Sequence, residues 1–222
     1  MESKSDCTTL NMDTNFLKLI AIISMFIDHA GYTLFSNNLI MRSIGRIAFP
    51  LFTFCIMIGY FNTKDLKKYI KRLMLIGIIS QPIYMLLFDT YAPNIMFTLI
   101  AELLLYYSLD NKKWWYIPFL VVTPILLKFD YSIIYLFVVP IFYYFRNDKG
   151  LLSVSYIFFY LSYLLDFFIT KKTFSCVTSC SIFALFFILF NTKTNLKINK
   201  YFFYIFYPLH LLILLIIKYI IM

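Results

Sequence analysis

Residues 16–35 read FLKLIAIISMFIDHAGYTLF, a largely apolar run that is interrupted by Lys18, Asp28 and His29. An α-helix of about 20 such residues reaches across a hydrocarbon core of about 30 Å. Apolar runs of similar length recur to the end of the chain, with short charged segments between them. Because a helix satisfies its own backbone hydrogen bonds in lipid, this pattern predicts an all-α, polytopic integral membrane helix bundle.

The polar breaks predict about nine transmembrane helices, within a range of roughly 8 to 10. A polar N-terminal tail, 1–15, contains no apolar run of its own, so we expect no cleavable signal there. The excess of basic residues on its side of the membrane predicts that the tail is cytoplasmic. Residues 16–222 are expected to form one transmembrane domain, since no linker or repeat interrupts them. The predicted helices cover 16–35, 43–61, 70–88, 94–109, 114–128, 131–145, 151–168, 175–190 and 201–221.

Composition excludes a water-soluble fold. The 222 residues are 62% hydrophobic and 14% charged, whereas soluble domains are about half apolar and about a quarter charged. A net charge of +9 would point to nucleic acid in a soluble protein, but here the basic residues lie between apolar runs and indicate membrane orientation instead. The four cysteines form no metal-binding pattern, so we interpret them as apolar fillers and expect no metal site.

The distribution of Lys and Arg predicts the orientation. With nine helices, fourteen of the 20 basic residues fall on the side of the N-terminus. Cytoplasmic loops carry the excess of Lys and Arg, so we expect the N-terminus to lie on the cytoplasmic side of a cell membrane. Arg42 and Arg46 fall on the outer side and therefore need another explanation.

Ionisable residues within a predicted helix are functional candidates, because each costs roughly 2.5 to 3.5 kcal/mol to insert. For the two histidines the alternative is a hydrogen bond that joins neighbouring helices, and for Asp166 it is an interfacial, structural role. The residues concerned are Asp28, His29, Arg46, Glu102, Asp166 and His210.

The first two helices hold the densest group of these residues. Lys18 and His29 lie about 20° apart on one helix face and roughly 16 Å apart along the axis. Asp28 projects about 100° away from His29, so we expect it to pair with a neighbouring helix, with Arg46 as the obvious partner. Arg42 shares a helix face with Arg46. The alternative to a pairing of Arg46 with Asp28 is that the Arg46 side chain snorkels to the membrane interface.

Two further pairs share helix faces. Glu102 lies in the middle of the fourth run with Thr98 one turn before it, and a carboxyl at that depth is protonated or paired. Tyr207 and His210 are three residues apart in the last run, and Pro208 is expected to bend that helix locally.

Together these segments resemble the TraX family, which is named for a conjugation protein that acetylates the N-terminus of F-type pilin. The matching segments occur in order from the first run to the last, whereas the middle of the chain, from about residue 114 to residue 200, carries no recognisable motif. They are MFIDHAG at 25–31, RSIGRIAFPLF at 42–52, YIKRL at 69–73, ISQP at 79–82, NIMFTL at 94–99 and YPLHL at 207–211.

The spacing of Lys18 and His29 also resembles the R/K-x10-H element of the membrane acyltransferases that O-acetylate surface polysaccharides. The resemblance implies that acetyl-CoA approaches from the cytoplasm as co-substrate. The acceptor would be an amine or hydroxyl of a pilin-like peptide or a cell-surface glycan, without nucleic acid as a partner.

On this reading His29 is the general base, because an imidazole changes charge near neutral pH. Arg46, with Arg42, would stabilise the developing oxyanion or bind an acceptor anion, and Asp28 would hold Arg46. The remaining residues are candidates for binding acetyl-CoA or the acceptor, although the basic loop before the third helix also serves as a topology signal. They are Lys18, Lys67, Lys68, Lys71, Arg72, Glu102, Tyr207 and His210.

Two other classes of function remain open. In a small transporter or assembly subunit, Asp28, His29, Arg46 and Glu102 would form an intramembrane proton or ion relay. Against it, the chain shows no repeated half with paired interrupted helices. A purely structural subunit would leave these buried ionisable residues without a task.

Overall fold

The computed structural model describes residues 10–129, 134–194 and 196–221. This part of the chain consists of helices and connecting turns and contains no β-strand, which confirms the predicted all-α fold. The predictions for residues 1–9 and 130–133 lie outside the described residues. In chain order the helices are α1 (Thr14–Thr33), α2 (Leu39–Gly45), α3 (Ala48–Asn62), α4 (Leu66–Phe88), α5 (Ile95–Asp110), α6 (Tyr116–Leu126), α7 (Ile134–Phe145), α8 (Lys149–Thr170), α9 (Thr173–Ser179), the 3₁₀ turn Cys180–Phe183, α10 (Ala184–Leu189) and α11 (Lys200–Ile221).

Several helices are long and apolar enough to cross a membrane. Within the described residues these number five, and the shorter apolar helices are Tyr116–Leu126, Leu136–Phe145 and Thr173–Leu189. The chain is therefore a polytopic membrane protein, whereas a total of nine transmembrane helices stays a prediction. The five segments are Thr14–Thr33, Leu39–Asn62, Leu66–Phe88, Lys149–Thr170 and Tyr201–Ile221.

The third predicted helix begins earlier than its apolar run. Asp65 is the N-cap of α4, and its side chain accepts a hydrogen bond from the backbone N–H of Lys68. This bond satisfies one of the free N–H groups of the first turn, so the helix starts at Leu66. The prediction of a basic loop is therefore wrong, because the Lys and Arg residues at 67, 68, 71 and 72 lie on the first two turns of α4.

The chain divides into two compact units, Met1–Cys55 with Ile141–Ile198 and Ile56–Pro140 with Asn199–Met222. The first unit contains α1, α2 and α8 to α10, and the second contains α4, α5, α6 and α11. The single transmembrane domain over 16–222 stays a prediction.

Two glycines let α2 lie directly against α1 in the first unit. A Cβ atom added to Gly45 would lie 2.1 Å from the Cβ of Asp28, and one added to Gly31 would lie 2.5 Å from the Cβ of Met41. In a membrane, helices associate through close packing at small residues and not through a hydrophobic driving force. The two glycines therefore allow α1 and α2 to approach more closely than residues with a Cβ atom would permit.

The second predicted helix, 43–61, is interrupted between α2 and α3. Pro50 has no backbone N–H, so the carbonyl of Arg46, four residues earlier, cannot form the usual helical hydrogen bond. The hydroxyl of Ser181 donates to that carbonyl over 3.0 Å. Side chains from neighbouring helices commonly satisfy backbone groups that proline frees in membrane helices. Here the replacement bond fixes the 3₁₀ turn after α9 beside Arg46.

The residues before α1 are tied to the end of α10. The backbone N–H of Asn11 donates to the carbonyl of Ile188 over 2.9 Å, and Asp13 accepts hydrogen bonds from Thr194. Burial acts to raise the pKa of Asp13, but these bonds and one from the N–H of Phe16 outweigh it and hold the pKa below its usual value. The start of α1 and the end of α10 therefore lie on the same side of this unit.

In the second unit α4 and α11 run side by side in the same direction. Arg72, near the start of α4, interacts electrostatically with Tyr204 near the start of α11. At the other end, Lys218 donates from Nζ to the carbonyl of Leu87 over 3.0 Å. A cation at the C-terminal end of a helix is favourable, because it meets the negative end of the helix dipole.

The connection from α4 to α5 turns back along α4. Asn94, the N-cap of α5, donates from its side chain to the carbonyl of Gly77 over 2.8 Å. Gly77 lies midway along α4, roughly 16 Å before its last residue. Consequently α5 begins near the middle of α4 and not at its end, which differs from the full transmembrane helix predicted for 94–109.

Gln81 satisfies the polar backbone of this connection. Its side chain accepts from the backbone N–H of Asn94 over 2.9 Å and donates to the carbonyl of Ala92 over 2.8 Å. Non-helical backbone is tolerated at membrane depth only where such groups are satisfied within the protein or by water in a cavity. The segments ISQP and NIMFTL therefore include residues that fold this connection.

Candidate functional site

The first group of candidate residues lies near the C-terminal end of α1. Asp28 is 7% exposed and lies against Gly45 of α2, whereas His29 is half-buried. Consecutive helical residues point about 100° apart, so the imidazole leaves α1 in a different direction from the carboxylate. Lys18 is half-buried and lies on the same helix as His29. Because this helix is uninterrupted, the regular geometry assumed for the predicted alignment of Lys18 with His29 applies.

Asp28 lies between the guanidinium groups of Arg42 and Arg46. The distance from Arg42 Nη1 to Asp28 Oδ2 is 2.7 Å, and that from Arg46 Nε to Asp28 Oδ1 is 4.0 Å. The predicted main partner was Arg46, but the shorter ion pair is with Arg42. The reason is that Gly45 contacts Asp28 directly, and Arg42, three residues earlier, shares the face of α2 that Gly45 presents.

Both guanidinium groups also lie over aromatic rings. The Cζ atom of Arg42 is 5.0 Å from the centre of the Tyr32 ring, and that of Arg46 is 5.8 Å from the centre of the Phe174 ring. Arg46 is 5% exposed, so snorkelling to the interface does not describe its position. Cation–π contacts of this kind gain strength when the pair is shielded from water, and here they add to the ion pairs that hold the two arginines.

Beside the part of the site that α1 and α2 form, residues of α9 and the following turn form a second wall. They are Phe174, Thr178 and Ser181, from the part of the chain without recognisable motifs. Phe174 contacts the guanidinium of Arg46, and Ser181 donates to the Arg46 carbonyl. Thr178 lies between them on the same side of α9 and is fully buried. None of these three residues was predicted from sequence. The available signal was the hydroxyl side chains at 175, 178 and 181, whose spacing of three places small polar residues along one helix face.

Aromatic packing from α8 holds this second wall in place. The hydroxyl of Tyr156 donates to the carbonyl of Ser181 over 2.8 Å. The Tyr156 ring stacks on Phe142 with ring centres 5.8 Å apart, and Phe142 meets Phe54 edge to face at 5.4 Å. Because Tyr156 is fully buried and bonded to the backbone of the 3₁₀ turn, it limits the movement of Ser181 relative to α8.

Asp166 lies near the end of α8 and connects that helix to α9. The hydroxyl of Ser175, in the first turn of α9, donates to the Asp166 carboxylate. The hydroxyl of Thr170 donates to the Asp166 carbonyl over 2.8 Å. The Ser175 bond joins two neighbouring helices, whereas the Thr170 bond lies within α8, and both agree with the structural role that the sequence left open for Asp166.

Glu102 lies in the second unit, within a row of polar residues. It is fully buried on α5, as is Thr98 one turn before it, and it interacts electrostatically with Tyr106 one turn after it. The Tyr106 ring stacks on Tyr60 with ring centres 6.1 Å apart, and the Tyr60 hydroxyl donates to Asp110 over 2.8 Å. The row therefore leads from a buried carboxyl to the exposed end of α5.

Tyr207 and His210 share a buried face of α11, as predicted, with ring centres 5.5 Å apart. The Nδ1 atom of His210 lies 3.0 Å from the carbonyl of Phe206, and the two rings stack at 5.1 Å. A neutral imidazole that donates from Nδ1 keeps Nε2 as an acceptor. His210 is thus oriented by its own helix.

The basic residues at the start of α4 are exposed, in contrast to the arginines of α2. Lys68 forms an ion pair with Asp65 at 3.4 Å, and Arg72 lies over the Tyr69 ring at 5.6 Å. Hydrogen bonds from the backbone and side chain of Lys68 hold the pKa of Asp65 below its usual value. Lys67 and Lys71 are four residues apart and share one exposed face of the helix.

These features define a polytopic helical membrane protein with a buried carboxylate between two arginines in its first two apolar segments. The chain belongs to the TraX family, since the family model described as TraX protein matches residues 13–218.

Two relatives match parts of the chain. A probable fimbrial assembly protein, FimC of serogroup H1, from Dichelobacter nodosus is 35% identical over 104 residues, which cover 40% of this chain and 43% of the relative. An uncharacterized protein of Rickettsia prowazekii (strain Madrid E) is 38% identical over 95 residues, which cover 42% of this chain and 36% of the relative. The matched regions are thus less than half of each relative's length. No solved structure matches the chain.

Proposed function

We propose that this TraX family member is a membrane-embedded acetyltransferase that uses acetyl-CoA. The observation that best supports the proposal is that His29 directly follows Asp28, whose carboxylate is fixed 2.7 Å from Arg42 and 4.0 Å from Arg46. Acyl transfer needs a group that accepts a proton from the acceptor and positive groups where negative charge develops. His29 near the end of α1 is the candidate for the first kind of group, and Arg42 and Arg46, held at Asp28, are the candidates for the second.

In the proposed reaction His29 takes a proton from an acceptor amine or hydroxyl, which attacks the thioester carbon of acetyl-CoA. Arg46, with Arg42, stabilises the oxyanion of the tetrahedral intermediate or binds an anion of the acceptor. The intermediate then expels the CoA thiolate, which receives the proton from His29. Asp28 holds Arg42 in position through a charge-assisted hydrogen bond, and it attracts the Arg46 guanidinium over 4.0 Å.

The acceptor is proposed to be an amine or hydroxyl of a pilin-like peptide, with a cell-surface glycan as the alternative. Support comes from the similarity to the Dichelobacter nodosus relative, which is named a probable fimbrial assembly protein. The phosphates of CoA are proposed to bind basic side chains from the cytoplasmic side. Lys18 in the first unit and the exposed basic residues of α4 in the second are separate candidates for this role.

Acetyl transfer can be tested with purified protein in lipid nanodiscs and radiolabelled acetyl-CoA. Label transferred to a peptide or glycan fraction, or slow release of the CoA thiol without an acceptor, is the expected result. Absence of both with all acceptor fractions would refute the acetyltransferase proposal.

The proposed orientation places the N-terminus in the cytoplasm. Single cysteines can report it in full-length protein whose native cysteines are replaced by serine. Cysteine at Lys64, Asn111 or Asn147 is expected to be shielded in intact cells from a membrane-impermeant maleimide, and cysteine at Leu39 or Lys172 is expected to react. Labelling at Lys64 together with protection at Leu39 would reverse the orientation.

The start of α4 offers a test of CoA binding. Changing Lys67 and Lys71 to Gln together is expected to raise the KM for acetyl-CoA by roughly 5- to 150-fold, since charge-assisted bonds contribute about 1 to 3 kcal/mol. The matched control changes Lys171 and Lys172 to Gln, on the proposed outer side, and is expected to leave the KM unchanged. Equal KM values in the two double variants would show that Lys67 and Lys71 do not bind CoA and serve only as a signal for membrane orientation.

A relay function is the second candidate, favoured by the row from Glu102 through Tyr106 and Tyr60 to Asp110. Proton relays in membrane proteins use chains of carboxyl groups and histidines, and Glu102 and Asp110 are the two carboxyl groups of this row. Proteoliposomes that carry a pH gradient would separate the two functions. A proton flux that Glu102→Gln abolishes, without any acetyl transfer by the wild-type protein, would favour the relay.

A further inference from the structure

The hydroxyl of Thr178 differs from those of other helical threonines. Thr178 is 0% exposed, and its Oγ1 atom has no hydrogen-bond partner among the described residues. The hydroxyls of Thr33, Thr53 and Thr170 each donate to the carbonyl four residues earlier in their own helix. A buried hydroxyl without a hydrogen-bond partner is unfavourable. We therefore expect a bound ligand to supply the acceptor for the Thr178 hydroxyl.

The neighbours of Thr178 indicate where this partner would lie. Phase along α9 places Thr178 about 40° from Phe174, and Ser181 follows in the 3₁₀ turn directly after this helix. Phe174 contacts the guanidinium of Arg46, and Ser181 donates to the Arg46 carbonyl. Thr178 therefore belongs to the face of α9 and the following turn that packs around Arg46.

We infer that the Thr178 hydroxyl donates a hydrogen bond to the thioester carbonyl oxygen of acetyl-CoA as that oxygen becomes negative. The inference rests on the proposed acetyltransferase function. When the acceptor attacks the acyl carbon, the carbonyl π-electron pair moves to oxygen, and His29 holds the acceptor's proton. The oxyanion then returns its electron pair, the carbon–sulfur bond breaks, and the thiolate takes the proton. Thr178 and Arg46 stabilise the oxyanion between these two steps.

The hydroxyl can be removed without a change of shape by Thr178→Val. Loss of one donor to an oxyanion typically lowers kcat by about 10²- to 10³-fold, so we expect a fall of that order with an unchanged KM for acetyl-CoA. Thr178→Ser keeps the donor and is expected to restore most of kcat. The readout is release of the CoA thiol by purified protein in nanodiscs, measured with acetyl-CoA alone and with each acceptor fraction.

Thermal unfolding separates this role from a purely structural one. Because Thr178→Val removes a buried hydroxyl that has no partner among the described residues, the variant is expected to be at least as stable as the wild type. Thr53→Val is the matched control, since its hydroxyl bonds within its own helix, and it is expected to keep kcat. Wild-type turnover with equal kcat in Thr178→Val would overturn this inference alone, whereas no turnover in the wild type would refute the proposed function and the inference with it.

Discussion

His29→Gln is expected to lower acetyl transfer by roughly 10²- to 10⁴-fold, the usual contribution of a positioned acid-base group. Insertion should remain near normal, because an amide costs a membrane helix no more than an imidazole that can become charged. The measurement is transfer from radiolabelled acetyl-CoA per mole of folded, inserted protein. His29→Ala is expected to give a similar loss.

The alternative role of His29, a hydrogen bond between helices, predicts a different pattern. A Gln side chain keeps such a bond, so His29→Gln would stay active, and the losses in His29→Ala would follow lost protein. Lys18→Ala provides a contrast on the same helix, since Lys18 lies roughly 16 Å away and is expected to affect KM more than kcat. An inserted, stable and fully active His29→Gln protein would exclude His29 as the base.

Gly45→Ala is expected to lower the free energy of unfolding by about 1 to 3 kcal/mol, which is typical of overpacking, and acetyl transfer by roughly 10²-fold, as a displacement of about 1 Å in a site can. The added Cβ would lie 2.1 Å from the Cβ of Asp28. Because neither atom belongs to the flexible end of a side chain, α2 must move away from α1. The ion pair between Asp28 and Arg42 then lengthens.

Gly150→Ala is the matched control for this prediction. Gly150 is exposed on the first turn of α8, and an added Cβ would lie 3.3 Å from the carboxylate of Asp148. Alanine favours helix formation over glycine by about 1 kcal/mol, so this variant is expected to be as stable as the wild type or more so, with unchanged transfer. If Gly45→Ala behaved like Gly150→Ala, the close contact of α1 with α2 would not be required for the site.

The candidate site was predictable from sequence only in part. The closeness of Asp28 to Arg46 followed from ionisable residues in adjacent apolar runs, with snorkelling of Arg46 to the interface as the alternative. The shorter ion pair with Arg42 did not follow, because it depends on which face of α2 Gly45 presents to Asp28. The spacing of hydroxyl side chains marked a polar helix face in the second wall, from Phe174 to Ser181. The roles of these residues were not predictable, since they depend on an approach of α9 to Arg46 across a long stretch of sequence.

The sequence alone determined that the protein is helical and resides in a membrane. Continuous apolar runs of about the length of a membrane-crossing helix, broken by charge, predict helices, and a helix pairs its own peptide groups where lipid offers them no hydrogen bonds. Only the tertiary structure decided that α5 begins midway along α4 and that the face of α9 meets Arg46. Within a bilayer, apolar surfaces do not drive helices together, so shape and small residues select the partners, and a hydropathy pattern does not record that choice.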